Sequence, residues 1–208
     1  MYSTVLAAAL SGASVGQLRY WRRQPPVFAP EYQTPHKVLY SYRDVVALRS
    51  ITYLRQKDVT SLQDIRKSIK NLRAMGKIEH LSEYKLVRSG NTIVLVDGDE
   101  AIDLLRAPGN AMLADLVDIF GEFDGRMGRV LPFQQPVPGV VVDPEVLSGF
   151  PVVKGTRIGY DQVASLMDDD VPAEEISRFF PSVGAEAALA AQQFADYVRR
   201  FDVQDQVG

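Results

Sequence analysis

Arg19, Tyr20, Arg22 and Arg23 crowd into the stretch SVGQLRYWRR, just behind Ser14 and Gln17. Guanidinium groups grip phosphates and pair with guanine edges, so this set is suited to holding a polyanion and not to making or breaking bonds. Catalytic chemistry is poorly served elsewhere. There is no cysteine, which removes thiolates, disulfides and cysteine-bound metals together. His36 and His80 lie 44 positions apart with no HExxH spacing around either. The run Asp168-Asp169-Asp170 lacks the alternation and glycine of a calcium loop, and consecutive helical side chains diverge, so a solvated helix end is expected. GEFDGRMG, with Gly125 and Gly128, has no Lys-Ser/Thr after it and reads as a loop. The expectation is therefore a protein that is not an enzyme, with no catalytic residue, metal or cofactor.

The composition agrees with a binding role. With 208 residues, 46% hydrophobic and 24% charged, and a mean hydropathy of −0.07, the chain is long enough to bury a core in water. Its net charge of −3 hides an asymmetry: residues 1–80 carry 13 Lys+Arg against 5 Asp+Glu, net +8, and residues 81–208 carry 10 against 21, net −11. A basic head points to DNA, and an acidic body to solubility or a basic protein partner. No run reaches 18 apolar residues, and the opening MYSTVLAAALSG lacks a basic segment before its apolar stretch; it is read as a folded helix, and the expected location is the cytoplasm.

Three Ser-x-x-acid/Gln patterns position the basic groups: Ser14 with Gln17, Ser41 with Asp44 and Ser61 with Asp64. Each predicts a helix start, the hydroxyl accepting from the backbone three residues on. Thr4–Leu10 forms a helix before the first of them, and Ser11-Gly12-Ala13 supplies the tight turn of a helix-turn-helix. Leu18 and Trp21 take the inner face of the second helix, leaving Gln17, Arg19, Tyr20, Arg22 and Arg23 around the rest. Pro25, Pro26, Pro30 and Pro35 then impose an extended loop or wing. Val45, Leu48, Ile51 and Leu54, and later Leu62, Ile65, Ile69 and Leu72, keep helical spacing.

SGASVGQLRYWRRQ followed by KVLYSYRDVVALRSITYLR resembles the winged helix-turn-helix head of MerR-type transcription regulators, over about residues 2–75. That resemblance implies a second helix in the major groove, with the wing and its flanks on phosphates. Ser14, Gln17, Arg19, Tyr20 and Arg22 match the helix, and Tyr40 and Arg43 match the start of the next one. Two departures stand out. The family has a basic residue two positions before the tyrosine, where this chain has Val38 with Lys37 one step away. No long heptad helix follows Met75-Gly76, so dimerisation is expected to come from the C-terminal part.

In the middle, Tyr84–Arg88 and Thr92–Val96 flank Ser89-Gly90-Asn91 and predict a β-hairpin. Asp99–Arg106 reads as a short helix, Leu113, Leu116, Val117 and Phe120 as a helix or a strand, and LPFQQPVPG as a linker or irregular crossing segment. Residues 140–198 resemble the small domain of unknown function numbered four-three-three that occurs in Vap-type antitoxins. Asp143-Pro144, Gly149, Pro151, Gly155-Thr156-Arg157-Ile158, Glu175-Ile176, Pro181 and the Ala-rich last helix carry that likeness. A strand and glycine turn precede a helix from Asp161, and Pro172 opens a second. Asp170 stands where the family commonly has glycine, so a changed local turn is expected.

The fold expected is mainly α: a winged helix-turn-helix over 1–80, a hairpin-containing connecting region over 81–139, and a small helical, winged-helix-like domain over 140–208. Together the two resemblances imply an antitoxin of a type II toxin–antitoxin pair. As a homodimer it would repress its own promoter on an inverted-repeat operator in double-stranded DNA, and neutralise a PIN-like RNase whose metal site is acidic. Arg157, Arg199 and Arg200 are the candidates for reaching that toxin, and Ala187, Ala188, Leu189, Ala190, Ala191, Phe194 and Tyr197 for dimer contact. The alternative is a free-standing MerR-like regulator that senses a small ligand.

Overall fold

Each of the three serine caps starts a helix. The computed structural model describes residues 1–23, 26–34, 36–55, 61–74, 85–89, 92–97, 100–103 and 119–203. Helix α1 spans Thr4–Ser11, α2 Val15–Trp21, α3 Tyr42–Leu54 and α4 Leu62–Ala74. Ser14 and Gln17 close a reciprocal capping box on α2, and Ser41 and Asp44 close another on α3. Ser61 Oγ accepts from the Asp64 N–H at 3.0 Å to begin α4. Between α2 and α3, β1 (Tyr32–Gln33) and β2 (Val38–Leu39) form the antiparallel wing. Tyr2 exchanges backbone bonds of 2.8 and 3.0 Å with Tyr40, adding a third extended segment.

Strands β3 (Lys85–Ser89) and β4 (Thr92–Asp97) make the expected hairpin, with Ser89 opposite Thr92. Glu100–Asp103 corrects the reading of Asp99–Arg106 as a helix: it is strand β5, paired with β4 from Asp97↔Glu100 to Val94↔Asp103. Cross-strand hydrogen bonding there outweighs the helix preference of a short Ala- and Leu-containing run. Leu113, Leu116 and Val117 fall outside the described residues. GEFDGRMG is the tip of a second hairpin, β6 (Phe123–Gly125) on β7 (Gly128–Val130).

The C-terminal unit opens on a short strand pair. Strands β8 (Val140–Val141) and β9 (Val152–Val153) pair antiparallel, Gly155 turns the chain at φ 77°, and α5 spans Tyr160–Asp168. A 3-10 turn over Ala173–Arg178 follows Pro172, and α6 runs Ala185–Val203. Asp170 takes φ 65°, the left-handed conformation that glycine adopts without strain. The turn thus accepts aspartate, one of the few side chains that tolerate it.

One apolar cluster runs from Tyr2 to Phe201 across all three parts of the chain. Helix α1 is hydrophobic nearly all round, as a helix buried in a core must be, and lies between α3 and α6. Ala188, Ala190, Ala191 and Phe194 are buried in this same core, so the close helix approach they permit is used within the chain. Six aromatic rings follow one another across the seam, Tyr2, Phe150, Tyr160, Phe194, Tyr197 and Phe201, with centroids 4.7–6.5 Å apart. The Tyr2 hydroxyl donates to the Gly149 carbonyl at 2.6 Å, and a Cβ on Gly149 would meet the Tyr42 ring at 2.5 Å. Burial pushes the Tyr2 phenol above its ordinary value, as does Tyr42 beside it.

At the centre is Arg49, fully buried on α3. Its Nε donates to Ile119 O at 2.7 Å, Nη1 to Leu10 O at 2.5 Å and Nη2 to Gly121 O at 2.7 Å, while Phe123 and Phe133 offer ring faces at 4.9 and 5.5 Å. Phe133 belongs to LPFQQPVPG and is itself completely buried, so that stretch is a packed crossing segment and not a linker. Arg49→Leu leaves three inner carbonyls without their donor and should cost about 3–5 kcal/mol in urea unfolding. Asp170→Gly should instead stabilise the chain, by about 0.5–1 kcal/mol in the same assay, because it relieves a positive φ.

Candidate nucleic-acid interface

Helix α2 is sided. Val15, Leu18 and Trp21 are buried, and Gly16, Arg19 and Tyr20 form an exposed stripe at i, i+3, i+4 spacing, with Arg23 exposed just past the helix end. Tyr20 is 50% exposed, so its ring is available at the surface beside Arg19. Ser14 and Gln17 are half-buried and engaged with each other, the Ser14 N–H donating to Gln17 Oε1 at 2.8 Å. They fix where the stripe begins. Gly12 ends α1 at φ 76°, its N–H donating to Ala8 O at 2.8 Å. A Cβ there would meet Val130 Cγ2 at 2.3 Å, so only glycine suits both the turn and the strand packed on it.

The wing adds a second cationic edge. Thr34 and Lys37 close its turn through Thr34 N–H to Lys37 O at 2.8 Å and Lys37 N–H to Thr34 Oγ1 at 3.0 Å, and Lys37 is exposed. Arg43 is exposed in the first turn of α3 and shares a cavity of about 420 Å³ with Tyr32, Tyr42 and Ser148. Buried Asp44 accepts from the N–H groups of Ser41 at 2.8 Å and Glu31 at 3.1 Å, tying the wing to the start of α3.

Tyr40 departs from the expectation for an interface residue. Its side chain is fully buried, because its backbone bridges to Tyr2 and turns the ring inward. Burial raises its phenol above the ordinary value, opposed chiefly by the nearby Arg22 charge and, less, by Arg19. Tyr40 therefore sits beneath the cationic surface. Arg22 is half-buried beside it, whereas Arg19 and Arg23 point outward.

A groove of about 650 Å³ runs along the other flank of α2. Gln17 and Tyr20 line it on one side, and Arg55, Leu62, Arg126 and Phe201 complete it. Arg55 and Arg126 escaped the sequence reading, since nothing in the spacing of GEFDGRMG shows that this hairpin folds back onto the helix-turn-helix.

Residues 2–72 match the family model described as MerR HTH family regulatory protein. The head is a MerR-type DNA-binding domain. Residues 140–195 match a second model, described as protein of unknown function DUF433, so the MerR head is joined to a DUF433 unit. The fold as a whole is similar to the X-ray crystal structure of Rv2018 from Mycobacterium tuberculosis, at 12% identity over 91% of this chain and 96% of that one, with a TM-score of 0.56. No curated protein matches the sequence.

The candidate partner residues lie on the DUF433 side, Arg157 in a turn and Arg199 and Arg200 together on α6. Arg157 is exposed in the Gly155-Thr156-Arg157 turn, where Thr156 Oγ1 donates to Val153 O at 2.8 Å and accepts from the Ile158 N–H at 3.0 Å. Arg199 pairs with Asp168 and with Asp196, and Arg200 is exposed on the last turns of α6. Among the described residues no group of three His, Asp or Glu could hold a metal ion, and no helix is long and apolar enough to cross a membrane.

On the MerR head, Arg19→Ala and Arg22→Ala should each weaken binding to an operator duplex; a guanidinium that reads a guanine edge is worth about 1–3 kcal/mol at that base. Fluorescence anisotropy on variant duplexes measures it. Ser14→Ala should lower stability by about 1 kcal/mol through the lost cap.

Proposed function

We propose that this chain is the antitoxin of a type II toxin–antitoxin pair. In the cytoplasm, as a homodimer, it occupies the inverted-repeat operator of its own promoter through α2 and the wing. Its DUF433 unit holds a PIN-like RNase. The observation that carries this reading is the division of the surface. The stripe Arg19, Tyr20, Arg23 faces out of the MerR head, while Asp161, Asp169, Asp170, Glu174, Glu186 and Asp196 are exposed on the DUF433 unit. An RNase presents a basic surface to its substrate, and carboxylates of this density steer such a surface into contact.

Arg157 and Arg200 are the guanidiniums for the toxin's metal-site carboxylates, since neither makes an ion pair among the described residues. Arg199 joins them only by exchanging Asp168 and Asp196 for the partner. Leu189, 57% exposed on α6, and Phe179, 55% exposed after the 3-10 turn, are apolar contacts for a second copy.

The test is co-expression with the product of the adjacent reading frame, read by affinity capture and by growth rescue. The DNA-blind double variant Arg19→Glu, Arg22→Glu should keep capture and rescue, whereas Arg157→Glu with Arg200→Glu should weaken capture at least about tenfold, or 1.4 kcal/mol. Removing residues 1–80 is not the tool for this, because α1 is part of the shared core. Absence of capture by the intact chain would leave a free-standing regulator in place of the antitoxin.

A further inference from the structure

Hairpin β6–β7 belongs to neither matched family segment, yet it is packed against the turn of the helix-turn-helix. Val130 fills the space above Gly12, and a Cβ on Gly125 would meet Val130 at 2.8 Å and the Gly12 carbonyl at 3.3 Å. Phe123, at the start of the hairpin, meets the Tyr53 ring edge-on at 5.6 Å and takes the Arg49 guanidinium on its face. Tyr197 from α6 donates its hydroxyl to Arg129 O at 3.3 Å, or to Ala9 O at 3.2 Å. The hairpin tip, Arg126-Met127, is thereby held at a fixed place beside α2.

What it faces there is the groove along α2. Among the described residues its lining includes two guanidiniums, Arg55 and Arg126, and no carboxylate. Gln17 and Tyr20 stand on its opposite wall and continue directly into the exposed stripe. Arg126 is exposed and makes no ion pair among the described residues, whereas its neighbour Arg129 is occupied by Glu122. A helix seated in a major groove about 12 Å wide has the sugar-phosphate strands running along its two flanks. One flank of α2 leads to the wing, and the other opens into this cationic groove.

We propose that the β6–β7 hairpin is a DNA-contacting element, with Arg126 holding a backbone phosphate of the strand that lies in the groove beside α2. The inference rests on α2 entering the major groove, and extends the DNA footprint past the MerR-type segment into the region between the two matched families. Phosphate contacts position a protein without reading sequence, so the contribution is the same on any duplex.

The experiment is a salt titration of the intact protein on the duplex upstream of its gene and on a mixed-sequence duplex, for the native chain, Arg126→Ala, Arg126→Lys and Arg19→Ala. Arg126→Ala should weaken both complexes in parallel and reduce the log–log salt slope by about 0.9, the value of one phosphate, while Arg126→Lys retains the slope. Because Arg126 is exposed at a turn, the melting temperature should not move. Unchanged affinity and slope in Arg126→Ala, with Arg19→Ala impaired, would overturn the hairpin's role and leave α2 as the reading helix; a groove that takes a small organic anion gives this outcome. If Arg19→Ala is also unimpaired, α2 itself is not the DNA-contacting helix and both inferences fall.

Discussion

A guanidinium removed from water is costly unless its donors are met, and Arg49 meets the condition by recruiting carbonyls from Leu10, Ile119 and Gly121. Those carbonyls belong to the end of α1 and to the segment entering the β6–β7 hairpin, so a single side chain on α3 gathers the helix-turn-helix and the middle of the chain about itself. Phe123 and Phe133 lie on its π faces, and Phe133 in turn meets Tyr42 and Phe120 at 5.2 and 5.9 Å. The position of Gly12, and with it the angle at which α2 leaves the core, follows from this arrangement.

The consequence for function is that the DNA-binding head has no separate core. Its first helix packs on the last helix of the DUF433 unit, and the aromatic file from Tyr2 to Phe201 begins under the wing and ends at the groove beside α2. Strain concentrates at the same seam: Leu147, Ser148 and Gly149 all take positive φ, and Gly149 receives the Tyr2 hydroxyl there. Backbone of this kind persists only where the surroundings over-determine it. The DUF433 unit thus contributes directly to holding the wing against α3, in addition to whatever surface it offers a partner.

Local features of this fold were legible in the sequence, and long-range ones were not. Ser14/Gln17, Ser41/Asp44 and Ser61/Asp64 announce helix starts because capping is settled within four residues, and the Ser89–Thr92 turn is local in the same way. Glu100–Asp103 misled because its partner strand, not its own residues, decides its state. Arg49 enters the sequence only as one of the 13 Lys+Arg of the basic half, and it is spent inside the molecule on partners up to 72 positions away. Phe133 hid among prolines that suggest a linker. Tyr40 was placed at the interface by resemblance, while its pairing with Tyr2 turns it into the core. Arg126 carried no signal at all, since its nearness to α2 exists only once Val130 has closed over Gly12.

The shared core is tested most directly by scanning calorimetry of the full chain, alone and with an excess of duplex DNA. The account predicts one cooperative transition, with calorimetric and van't Hoff enthalpies equal, that moves upward as a whole when DNA binds the native state. Two separable transitions, with only the one assigned to the head responding to DNA, would contradict it.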